Sequence, residues 1–131
     1  MDYEVWIELD EDFKPPFNGN EIKKTTCCED GELYYTTPRF PGGSDIYEKV
    51  DKLKKISKYE VGPIHNYQNY IFYGYVLVPK REILNILKYC IKQCKIFNNA
   101  IYNLELAEKL YEYVESFPDN KKYKLVNFIW G

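Results

Sequence analysis

From residue 3 to residue 9 the chain alternates, placing Tyr3, Val5, Ile7 and Leu9 on one face and Glu4, Trp6 and Glu8 on the other. A period of two marks a strand with one face on a core. Two prolines and an Asn-Gly pair over 14–20 break any ladder and predict a loop. Residues 21–28 and 32–37 then form a predicted hairpin around Asp30-Gly31, where glycine supplies the positive φ of a tight turn. After a second loop at 38–43, Ser44 is a predicted N-cap. The helix it opens runs to about residue 56, with Ile46, Val50 and Leu53 on one side.

A short strand is expected over 58–61 before Gly62-Pro63 turns the chain. Residues 67–78 are rich in aromatic and β-branched side chains and predict one long strand, with Gly74 suggesting a bulge or a close backbone approach. Pro79 suits the start of the next helix, since its missing N–H would be unpaired there in any case. In that helix Ile83, Leu84, Ile86, Leu87, Cys90, Ile91 and Cys94 follow the 3.6-residue period. Arg81, Asn85, Lys88, Lys92 and Lys95 take the opposite side, and Asn98-Asn99 interrupts the pattern. A third helix over 104–117 is predicted from its Asn103 cap to Pro118, with Ala107, Leu110, Val114 and Phe117 inward. A final strand over 122–130 closes the chain. Helices interspersed with hairpin-built strands predict a single α+β domain over 1–131. Its expected form is one mostly antiparallel sheet of about six strands, with three helices packed on one face.

A chain of 131 residues can bury roughly two-thirds of its unfolded surface without a staple of metal or disulfide. No apolar run approaches the ~20 residues that span a bilayer, so no membrane partner is expected. The acidic start lacks the basic-then-apolar pattern of an export signal, which predicts a cytoplasmic protein, of a cell or of an infected host. Net charge is −2, with only two arginines, Arg39 and Arg81. That is not the footprint of a nucleic-acid-binding domain, and nucleic acid is disfavoured as a partner. Fourteen tyrosines stand beside one histidine. Part of that excess follows from a general enrichment in Tyr, Lys, Ile and Asn, all with A/T-rich codons. The clustering of tyrosines over 67–75 is what remains to be explained.

Cysteine offers the first candidate chemistry. Cys90 and Cys94 continue an apolar helical stripe, where free thiols behave as small hydrophobes. With Cys27, Cys28 and His65 the spacing lacks the C-x-x-C knuckle of a zinc site, so neither a metal nor another cofactor is predicted. His65 falls in a predicted loop, but no nucleophile motif surrounds any Ser or Cys, and no catalytic residue is assigned. Gly42-Gly43-Ser44 with Arg39 could cradle an anion at a helix start. Lys80 and Arg81 sit in a first helical turn, where cations oppose the macrodipole, so an anionic group could bind between them. Arg39, Ser44, Lys80 and Arg81 are the predicted anion-binding residues.

These features lean toward binding over turnover, with an enzyme disfavoured. Amphipathic rings suit interfaces, so Tyr70, Tyr73 and Tyr75 are expected anchors for another protein. Glu105, Glu108, Glu112 and Glu115 share one helix face and could steer a basic partner such as a toxin or nuclease. The expected role is an inhibitor or an immunity or anti-defence factor, of the kind a phage or virus also carries. The alternative is a small-ligand or enzyme domain with an aromatic-lined pocket and an anion site near Arg39 and Arg81.

Overall fold

The computed structural model describes residues 2–9, 23–26, 33–56, 58–62, 65–67 and 71–130, with side chains in 2–9, 35–56, 58–62 and 74–129. Its elements are β1 (Asp2–Leu9), β2 (Lys23–Thr26), β3 (Leu33–Thr36), α1 (Ser44–Lys54), β4 (His65–Tyr67), β5 (Ile71–Pro79), α2 (Lys80–Phe97), α3 (Leu104–Glu115) and β6 (Lys122–Trp130). The class is α+β. Four strands in the order β3-β1-β6-β5 make an open antiparallel sheet, and β2 and β4 lie outside them as edge segments of four and three residues. The expectation of about six strands is therefore met only as four strands with two short edges.

The sheet is antiparallel throughout, and its register sets which side chains share a face. Trp6 lies opposite Val126, which lies opposite Tyr75; one pleat along, Ile7 faces Leu125 and Leu125 faces Val76. Since side chains alternate across a strand, Val5, Ile7, Leu9, Val76, Val78, Tyr123 and Leu125 point to the helices, and all are buried in one core. α1 lies on β1, β5 and β6, and α2 on β5 and β6. α3 packs along α2 and contributes Ala107, Leu110, Tyr113 and Val114 to the same core.

Several sequence expectations shift. The predicted strand over 67–78 is divided between β4 and β5, which pair antiparallel with Tyr67 opposite Ile71. Only Gln68-Asn69, with neither glycine nor proline, marks that division in the sequence. Residues 58–61 form no strand; Val61 makes a single bridge to Val76. Gly74 is no bulge on the β6 side, where the register runs on from Tyr73 to Tyr75. The cap of α1 is Gly43, not Ser44, and Asp45 Oδ1 accepts from the Gly43 N–H at 3.3 Å. Gly42 has φ +145°, and a Cβ there would sit 2.4 Å from Ile46 Cγ1, so only glycine fits. α3 keeps its predicted Asn103 cap, whose Oδ1 accepts from the Leu106 N–H at 3.1 Å. The predicted 14–20 loop and the Asp30-Gly31 turn lie outside the described residues.

Candidate functional site

The alternation that sends Val5, Ile7 and Leu9 to the core sends Glu4, Trp6 and Glu8 to the face turned away from the helices. On β6 the same parity places Lys124, Val126 and Phe128 there, and on β5 Tyr75 and Leu77. Val126 is fully buried although no described helix covers it, because Trp6, Tyr75 and Phe128 close around it. The rings of Trp6 and Phe128 are tilted by 47° with centroids 5.6 Å apart. All three aromatic side chains keep part of their surface in solvent.

Polar groups frame this patch. Lys124 Nζ stands 4.9 Å from the centre of the Tyr75 ring and 3.5 Å from Glu8 Oε2. Arg39 reaches Glu4 at 3.9 Å. Tyr75 lies across Gly62, where an added Cβ would fall 2.1 Å from the ring. The strand edge is thus trimmed to glycine where that phenol crosses it.

Of the predicted anchors, Tyr75 belongs to this patch. Tyr73 shares its strand parity and lies opposite Phe128, but its side chain is outside the described residues, as is the whole of Tyr70. Glu105, Glu108, Glu112 and Glu115 are all exposed on α3, opposite the side it buries. That acidic stripe belongs to the helix layer, so it and the aromatic sheet face form no single surface.

The predicted anion-binding residues are dispersed. Arg39 borders a cleft of about 370 Å³ lined with Phe40, Pro41, Ile101 and Leu106. Arg81 is exposed in the first turn of α2, whose 18 residues span about 27 Å, whereas that cleft adjoins the chain beyond the last turn. Ser44 is exposed at the start of α1. There Asp45 brings a carboxylate of the chain's own, accepting from Tyr89 Oη at 2.8 Å as well as from Gly43. Lys80 turns to α3. Its Nζ donates to the carbonyls of Glu115 (2.9 Å) and Phe117 (3.0 Å) and pairs with Asp119 at 3.0 Å. The cation that opposes one helix dipole complements another.

No family model, curated protein or solved structure matches this chain. The site therefore rests on its own geometry. Cys90 and Cys94 are free thiols wholly inside the core, and burial, first among several causes, pushes the Cys90 thiol up to about 12. A thiol so held is no nucleophile at neutral pH. Among the described residues no three of His, Cys, Asp and Glu are placed to hold a metal ion. His65 belongs to the β4 backbone, not a loop, and its side chain lies outside the described residues, as do Cys27 and Cys28. No described helix is long and apolar enough to cross a membrane.

Sequence reasoning passed over Trp6, Val126 and Phe128. The signal was present in Trp6, an apolar ring at a position where the alternation calls for a polar one. It also passed over a part-buried polar cluster on the helix side. There Asn127 accepts from Lys54 Nζ and donates to Asp51 Oδ1 at 2.8 Å and to the Tyr47 carbonyl at 3.4 Å. Burial lowers the Lys54 pKa against the opposing pull of Asp51. Burial, then Asp51 and Tyr3, push the Tyr47 phenol up to about 12. This network ties α1 to β6.

Proposed function

We propose that this chain is a protein-binding module that engages its partner through the sheet face built by Trp6, Tyr75 and Phe128. One observation carries the proposal: three aromatic side chains gather around Val126 on the side of the sheet opposite the described helices, each still partly open to solvent. Large, rigid rings give contact area at little cost in conformational entropy, and an apolar cluster rimmed by Glu4 and Lys124 suits a protein better than a small solute. The exposed glutamates of α3 act at longer range, raising the encounter rate with a basic target. An inhibitor or immunity factor against a basic toxin or nuclease is the role these two features fit.

The test places a photo-crosslinking phenylalanine at Phe128 and, separately, at Glu112. The position-128 protein is expected to link one defined partner, which the position-112 protein does not. Equal labelling of both positions, or none at 128 where a partner co-purifies, would overturn the proposal. The cleft beside Arg39 supports a second reading, small-anion binding, since its volume is within the usual range for ligand pockets. Saturable stabilisation by a small carboxylate, lost in Arg39→Met, would favour that reading.

A further inference from the structure

The most exposed large apolar side chains among those described are not on the sheet. Ile96, Phe97 and Ile101 are 63%, 54% and 61% exposed, against 38% for Tyr35, Ile56 and Val61. All three belong to the tip where α2 passes into α3. The tip is fixed by its own side chains. Asn98 takes the left-handed conformation that ends α2, with its N–H on the Cys94 carbonyl at 2.9 Å. Asn99 Oδ1 accepts from the N–H groups of Ile101 and Tyr102 at 2.9 and 3.0 Å. Phe97 is braced by the Tyr102 ring, 4.9 Å away. A rigid apolar knob of this kind loses little freedom on docking.

Charge says what covers it. On the α2 side the tip is flanked by exposed Lys92 and Lys95, and on the α3 side by exposed Glu105 and Glu108, with Lys109 exposed one residue beyond them. Opposite signs on the two sides of an apolar centre are self-complementary. A two-fold axis through the tip, normal to the plane of the α2–α3 hairpin, sets the lysines of each copy against the glutamates of the other. An anionic lipid surface would instead be repelled by the glutamates. We propose that the α2–α3 tip is an isologous interface between two copies of this chain, with Phe97 and Ile101 at its centre and two lysine–glutamate sets at its rim. It lies apart from the sheet face, and shares only Glu105 and Glu108 with the acidic stripe of α3.

Sedimentation equilibrium over a concentration series tests this. The native chain is expected to dimerise reversibly, and Phe97→Asp/Ile101→Asp to stay monomeric with unchanged helicity. Lys92→Glu/Lys95→Glu and Glu105→Lys/Glu108→Lys should each weaken self-association about tenfold or more, like charges then facing across the axis. An equimolar mixture of these two variants should form a heterodimer as tight as the native dimer. A native chain that stays monomeric, or binds anionic vesicles through the tip as a monomer, would overturn the proposal. So would a dimer that survives Phe97→Asp/Ile101→Asp, or charge variants that associate like the native chain and show no preference when mixed.

Discussion

Replacing Lys80 by methionine tests the finding that a cation in the first turn of α2 serves α3. Methionine keeps most of the aliphatic stem and removes the charge. The ammonium, whose side chain is only 19% exposed, makes two hydrogen bonds to carbonyls at the end of α3. Bonds involving a charged group contribute about 1.5–3 kcal/mol, and sharing one ammonium between two acceptors keeps the sum well below twice that. Asp119 is 88% exposed, so its ion pair adds only ~0–1 kcal/mol. Relief of the unfavourable dipole at α2 returns about 0.3–1 kcal/mol. The net loss is about 2 kcal/mol, or roughly 6–10 °C in Tm for a chain of this size. Urea unfolding should show a lower midpoint at unchanged slope. Arg81→Met, one residue along and exposed, should stay within about 0.5 kcal/mol of the native chain. If Lys80→Met costs no more than Arg81→Met, the capping role is wrong. If Asp119→Ala costs as much as Lys80→Met, the ion pair and not the carbonyls carries the effect.

Alkaline stability follows from groups that the fold keeps neutral. Tyr47, Tyr89, Tyr113 and Cys90 are held up to about 12, and Tyr123 and Cys94 are raised too. Burial is the first cause for each except Tyr89, where the hydrogen bond to Asp45 comes first. Between their ordinary values and about 12 the folded state retains protons that the unfolded chain has released. Stability from these groups is therefore complete below about pH 9 and drains away as pH rises toward 12. Lys54, whose pKa is lowered, opposes this as a single group. The urea midpoint should fall from pH 9 to 11, less steeply in Tyr113→Phe; a flat or rising midpoint would contradict the assignment. Asn127→Leu should cost about 1–3 kcal/mol by taking its oxygen acceptor from the Lys54 ammonium, which is left with Asp51 at 4.0 Å. Adding Lys54→Met should restore more than half of that in the same unfolding assay, and no restoration would mean that Asn127 acts alone.

Local pattern made the central strands and the longer helices legible. β1 follows from alternation broken only at Trp6, α2 from an apolar stripe sustained from Ile83 to Cys94, about three turns, and the start of α3 from the Asn103 cap. The two buried thiols followed from their place in that stripe. What escaped depends on partners far apart in sequence. Lys80 looked anomalous because its carbonyl acceptors lie 35 and 37 residues away. Asn127 looked like an ordinary polar position in an alternating strand, since its partners on α1 are more than 70 residues distant. The Tyr-rich run carried no glycine or proline to separate β4 from β5. The candidate face was half legible. Tyr75 could be singled out by its cluster, whereas the convergence of Trp6, Val126 and Phe128 needs the β1–β6 register that only the folded sheet supplies.

The central claim is that the sheet surface opposite the described helices holds a protein partner. Calorimetric titration of the crosslinked partner with native protein, Trp6→Ser/Phe128→Ser and Glu112→Lys/Glu115→Lys tests it most directly, each variant first shown to be folded by circular dichroism. The sheet variant should bind at least a hundredfold more weakly at any salt concentration, as loss of two aromatic anchors implies. The helix variant should lose only a salt-dependent factor of a few. Undiminished affinity in the folded sheet variant would contradict the account.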